Sequence, residues 1–211
     1  SEMCIRDRKQ GEKVKVTCTK SNEGFATAGG VQYVACAGNF KDAGLEYTGA
    51  LKVLQMIFSY EYLWIQIRVK GGAYGCMCSF SDQGDSMVVT YRDPNLSESY
   101  KVYDEAADYV VDFDADDRDM KKYIIGTIGS MDMPMEAVDM GARCFHAYFL
   151  DKTEADLQKV RDQVLSCTQE DIRALAPIVK AVVEAGNRCC IGNEEKIDQN
   201  KEYFDEVKHV L

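Results

Sequence analysis

Alternation opens the chain. From Lys13 to Cys18, apolar Val14, Val16 and Cys18 alternate with Lys13, Lys15 and Thr17, the period-two pattern of a half-buried strand. Ser21 to Gly30 is rich in Gly, Ser, Thr and Asn and reads as a loop. Val31 to Ala37 (VQYVACA) is β-rich and bounded by glycines, which predicts a second strand; Gly38 to Tyr47 reads as loop. From about Thr48 the period changes. Leu51, Leu54, Ile57 and Phe58 share one helical face, Leu63 and Trp64 continue it, and the helix ends before Gly71-Gly72.

Tyr74 to Phe80 and Met87 to Tyr91 flank the turn Ser81 to Asp85, predicting an antiparallel hairpin. Asp93-Pro94-Asn95 breaks the pattern, and Ser97 is placed to cap a helix running to about Val111. Four more helices follow. One starts near Asp116 and carries Met120, Tyr123, Ile124 and Ile128. Another starts at Pro134, where proline suits a first turn. Thr153 and Thr168 each precede an Asp three residues on, a capping-box arrangement with Asp in the Glu position. Gly186 ends the last of these helices. Asn187 to Ile191 is a final strand, and a short helix closes the chain. Strands segregate from helices, so the fold class is α+β: a mostly antiparallel sheet covered on one side by helices.

Composition narrows the function. The chain has 211 residues, 46% hydrophobic and 28% charged, with net charge -10. Residues 9–211 read as one domain. Ser1 to Arg8 (SEMCIRDR) resemble a translated sequencing-adapter remnant, expected to mark a truncated reading frame. The acidic balance disfavours nucleic acid, whose phosphates need Lys and Arg, and disfavours anionic membranes. No apolar run approaches the roughly 20 residues of a membrane-spanning helix, and no basic-then-apolar signal peptide opens the chain. The nine cysteines read as reduced, small buried hydrophobes rather than a disulfide scaffold.

Little local chemistry is written in the chain. Its two histidines, His146 and His209, are far apart, so a paired helical zinc site cannot be built; His146 reads as a core or boundary residue. Cys76 and Cys78 share one strand face without a second ligand pair. Cys189 and Cys190 point to opposite faces. No nucleophile elbow or phosphate loop is present. The informative stretch is Arg68-Val69-Lys70-Gly71-Gly72-Ala73-Tyr74-Gly75. Glycines admit another chain closely, an arginine fork can hold a carbonyl or carboxylate, and a tyrosine hydroxyl can donate to an oxyanion. Local features alone favour a plainer reading, a glycine turn with an ion-paired Arg and a packed Tyr.

Asn22 to Phe25, Val31 to Val34, Tyr47 to Leu54, Tyr62 to Trp64, Arg68 to Cys78, Tyr91 to Leu96, Met131 to Pro134 and Glu170 to Leu175 together resemble the presequence protease-like zinc metallopeptidases of the pitrilysin/insulinase family. The resemblance covers Ser21 to the end. It implies a LuxS/metallohydrolase-like domain, the last of four in a clamshell of two halves. In that family the N-terminal half binds zinc through an inverted H-x-x-E-H motif and a distal Glu; no such motif is in this chain. The C-terminal half contributes an Arg and a Tyr beside the zinc. By resemblance, Arg68 anchors substrate backbone, Tyr74 stabilises the oxyanion, and Gly71 and Gly72 let the loop approach the peptide.

The implied partners are the N-terminal half of the same polypeptide and short unstructured peptides. The implied cofactor is zinc, held in the absent half, so the fragment alone is expected to be inactive. Bacterial cytoplasm is the expected location, or an organelle matrix in a eukaryote. The alternative is a non-catalytic binding or assembly subunit of the same superfamily.

Overall fold

The computed structural model describes residues 19–210; the strand expected at Lys13 to Cys18 and the tail at 1–8 lie outside them. Six strands are present: β1 (Glu23–Thr27), β2 (Tyr33–Asn39), β3 (Gly75–Phe80), β4 (Asp85–Tyr91), β5 (Asn187–Asn193) and β6 (Glu206–His209). They form one sheet in the order β3-β4-β2-β5-β1-β6. Three pairings are antiparallel, β3 with β4, β4 with β2 and β2 with β5. The other two are parallel, β1 with β5 and with β6.

The stretch from Ser21 to Gly30, expected as loop, holds β1 in a position between β5 and β6. Gly24 interrupts the strand pattern in the sequence. It sits there because a side chain would press on Ile197 Cγ2 and Phe204 Cδ2, each 3.0 Å from where a Cβ would stand. The chain also ends on β6 rather than on a helix, since Glu23 to Ala26 offer that strand a parallel edge.

The first helix, α1 (Ala50–Ile57), continues in widened π-type turns over Phe58–Tyr62 and Trp64–Lys70. Widening rotates the later residues around the axis. Leu63 stays buried while Trp64 turns out to 39% exposure, so the two do not share the apolar face that the 3.6-residue spacing predicted.

The expected helix up to Val111 is two, α2 (Ser97–Asp104) and α3 (Ala106–Val111), and Ser97 does not cap it. Buried Asp93 works there instead, accepting from Asn95 N at 2.9 Å and Ser99 Oγ at 2.6 Å. Next come α4 (Asp117–Met131), capped by Asp116, and α5 (Ala137–Phe149), which begins three residues past Pro134. Both capping boxes are present, on α6 (Glu154–Leu165) and α7 (Gln169–Arg173). Pro177 in the first turn of α8 (Ala176–Glu184) separates that helix from α7, because proline cannot donate to the preceding turn. A short α9 (Glu194–Gln199) follows β5.

Helices cover one face of the sheet. Leu51, Leu54 and Ile57 of α1, Tyr103 of α2 and Val182 of α8 pack with Val34, Cys36, Val88 and Cys190 of the strands, all buried. Each such aliphatic side chain contributes about 1.5–3 kcal/mol on burial. The Tyr103 hydroxyl ties the layers by donating to the Val34 carbonyl at 3.0 Å. From the opposite face Tyr33, Met77, Met87, Tyr91 and Ile191 project with 37% to 54% exposure, and nothing among the described residues covers them.

Candidate functional site

The glycine turn sets the site. The Gly71 N–H bonds to the Gln66 carbonyl and the Gly72 N–H to the Arg68 carbonyl, both at 3.0 Å, which closes the helix. Gly72 has φ +81, a left-handed conformation that glycine adopts without a Cβ penalty. A Cβ on Gly71 would stand 2.5 Å from the Ile67 carbonyl oxygen. Both glycines are therefore required by the chain's own turn. Asn95 Nδ2 donates to the Gly71 carbonyl at 2.6 Å, and Tyr74 N bonds to the Arg92 carbonyl at 3.2 Å. These bonds tie the turn to the segment after β4.

That geometry turns Arg68 and Tyr74 outward together. Arg68 and Trp64 lie four residues apart in widened turns, so the guanidinium stacks on the indole, 4.1 Å from its centroid, and stands 5.9 Å from the Tyr74 ring. The Tyr74 ring meets Tyr91 edge-on at 5.8 Å, and Tyr91 meets Tyr33 at 5.4 Å. A cation and four aromatic rings thus run from the helix rim onto the uncovered sheet face. Tyr74 is 66% exposed. No carboxylate pairs with Arg68 among the described residues; the stack orients it while leaving guanidinium N–H donors at its edge unused. Of the expected residues, all four cluster here. Trp64, Tyr91 and Tyr33 were not singled out as site residues, although the period-two pattern of β2 and β4 puts both tyrosines on one face.

Trp64 also lines a cavity of about 500 Å³ with Lys52, Met56 and Cys76; neither Arg68 nor Tyr74 lines it. Burial pushes the Cys76 thiol up to about 11 against the pull of Arg68, and pushes Cys78 up to about 12. Burial thus keeps both thiols protonated, which disfavours them as nucleophiles. Cys189 and Cys190 point to opposite faces, only Cys190 being fully buried. His146 is exposed rather than in the core, on the rim of a second cavity. Among the described residues no three His, Cys, Asp or Glu side chains converge to hold a metal ion. Nor is any described helix long and apolar enough to cross a membrane.

The model of the PreP C-terminal domain matches residues 22–193. The chain belongs to that family. Protein HypA of Clostridium perfringens is 43% identical over 192 residues, covering 91% of this chain and 20% of the relative. Presequence protease 1, chloroplastic/mitochondrial, of Arabidopsis thaliana is 32% identical over 194 residues, covering 90% of this chain and 18% of the relative. The PreP C-terminal domain described here therefore spans about a fifth of the length of these relatives. Among solved structures it is similar to a peptidase M16 inactive domain from Pseudomonas fluorescens, with TM-score 0.59 at 16% identity over 82% of this chain and 44% of the other. It is also similar to pitrilysin, with TM-score 0.53 at 12% identity over 83% of this chain and 20% of the other. At such identities the likeness is one of fold. It confirms the α+β class and the pitrilysin-type architecture.

Proposed function

We propose that this domain is the distal jaw of a metallopeptidase that degrades short unstructured peptides, closing its Arg68–Tyr74 rim over the substrate. The observation that carries the reading is an outward guanidinium, oriented by an indole and free of a carboxylate partner, beside an exposed phenol. Arg68 holds a peptide carbonyl through its free donors. Tyr74 donates its hydroxyl proton in a hydrogen bond to the oxygen that gains charge as the scissile carbonyl becomes tetrahedral. The uncovered apolar sheet face gives the rest of the peptide a dry wall. The rings of Tyr33 and Tyr91 supply contact area at small entropic cost.

The metal ligands are absent from the described residues, so no step is assigned to a metal in this chain. In this reading zinc belongs to the N-terminal half of the same polypeptide, and the domain alone is inactive. In this reading that half faces the uncovered sheet across the peptide. A bacterial relative at 43% identity supports a bacterial source, and the relative named chloroplastic/mitochondrial supports an organelle matrix if the source is a eukaryote.

The test uses the full-length protein that carries this domain. Tyr74→Phe is expected to lower kcat about 10²-fold or more with little change in KM, the cost of one oxyanion donor. Arg68→Ala is expected to impair both. Unchanged turnover in Tyr74→Phe removes the phenol from the mechanism, whereas a full-length protein that turns over no peptide favours the binding or assembly subunit.

A further inference from the structure

The cavity of about 500 Å³ at Trp64 shares Lys52, Ser130 and Met131 with a second cavity of about 540 Å³ under α5. The two run together as one groove along α1, from Asp82 in the β3–β4 turn to the rim at Trp64. Its charge is opposite to that of the whole chain. The molecule carries net charge -10, yet the charged side chains of these two cavities are Lys52, Arg143 and Lys152 against Asp82; Asp151, Asp156 and Lys159 line a further cavity that shares Asp82 and Lys152 with them but not Lys52 or Arg143. Lys152 already pairs with Asp82. Arg143 Nη1 reaches only the Met135 sulfur at 4.0 Å, and Lys52 has no ion pair among the described residues. Burial, together with the charges of Lys152 and Arg143, holds the Lys52 ammonium below its ordinary range despite Asp82. A half-buried cation of this kind is under-compensated, and an added carboxylate relieves it.

The remaining walls are largely methionine, with Met56, Met131, Met133 and Met135 in the lining. Methionine re-packs around side chains of different shape. Such a groove suits a ligand with variable apolar side chains and one constant anion.

We propose that the groove binds the C-terminal carboxylate of a short peptide between Lys52 and Arg143, with the peptide running along α1 toward Arg68. The proposal rests on the reading of the domain as a peptide-handling jaw. It adds an anchor that discriminates a free carboxyl terminus from a blocked one.

The test titrates the full-length protein that carries this domain, with a metal chelator present so that no peptide is turned over, with an N-acetylated apolar pentapeptide bearing a free C-terminal carboxylate, and with its C-terminal amide. Isothermal titration calorimetry gives both affinities. The carboxylate form is expected to bind on the order of tenfold tighter, as for one charge-assisted contact. Lys52→Met and Arg143→Met are each expected to erase most of that preference. Lys52→Arg keeps the charge and is expected to keep the preference, which separates loss of the anchor from loss of folding. Arg68→Ala is expected to weaken both peptides alike and leave their ratio unchanged. Equal affinities for the two peptides, no binding of either, or a ratio indifferent to both Met variants would overturn the anchor. A ratio that collapses in Arg68→Ala instead moves the carboxylate to the rim, which also overturns the anchor while leaving the rim reading intact. Failure of the turnover test on Tyr74 leaves the ratio untouched, so the two readings fail separately.

Discussion

Gly72→Ala isolates the backbone demand that holds Arg68 and Tyr74 on one side of the domain. At Gly72, φ is +81, and an added Cβ would meet only Pro94 Cγ at 3.6 Å, an ordinary contact. No clash is created, so the cost is conformational: placing an alanine in the left-handed region costs about 1–2 kcal/mol. Stiffening of the unfolded chain by alanine opposes this by about 0.4–1 kcal/mol. A net loss of about 1 kcal/mol is expected, equivalent to a Tm lowered by about 2–4 °C in a domain of this size. Urea unfolding followed through Trp64 measures it. Gly72→Asn is the control, because asparagine visits the left-handed region more readily, and it is expected to cost less than alanine. Gly71→Ala fails differently, its φ of -80 being ordinary while its Cβ would stand 2.5 Å from a backbone oxygen. Wild-type stability in Gly72→Ala, or an equal loss in Gly72→Asn, would refute the argument that backbone sign is the demand here.

Two further outcomes follow from the core. Thr90 Oγ1 accepts from the Val34 N–H at 3.1 Å in the buried sheet, so Thr90→Val keeps the shape, strands that donor and is expected to cost about 1–3 kcal/mol in urea unfolding; a neutral result would mean that Val34 finds another acceptor. Among the described cysteines Cys144 is exposed, while Cys36, Cys78 and Cys190 are buried with thiols pushed up to about 11 or 12 by burial. Alkylation by iodoacetamide at pH 8, below those values, is expected to modify Cys144 first and to leave the other three unlabelled until the protein unfolds; peptide mapping by mass spectrometry that finds the buried three labelled early contradicts this.

Much of the architecture is legible from short-range pattern. Period-two alternation marks the β3–β4 hairpin, and Thr153 and Thr168 with their partner aspartates mark two helix starts, because a strand face and a capping box are each satisfied within a few residues. Arg68 and Tyr74 are legible as candidates through the family resemblance of Arg68 to Cys78, since the glycine turn alone favours a structural role. What failed has a long-range cause. β1 was hidden because Gly24 answers to Ile197 and Phe204, which are distant in sequence. The widened turns after Ile57 leave no mark in an apolar period, and they alone bring Trp64 out to carry Arg68.

Sequence by itself determined the fold class, the two helix starts capped by Thr153 and Thr168 and the family likeness. Tertiary structure decided the rest. It joined Trp64, Arg68, Tyr74, Tyr91 and Tyr33 into one strip. It also set Lys52 of α1 in one groove with Arg143 of α5 and Lys152 beyond it. The physical reason is that stacking distances and charge compensation act through space, and no local period encodes which distant side chains will meet.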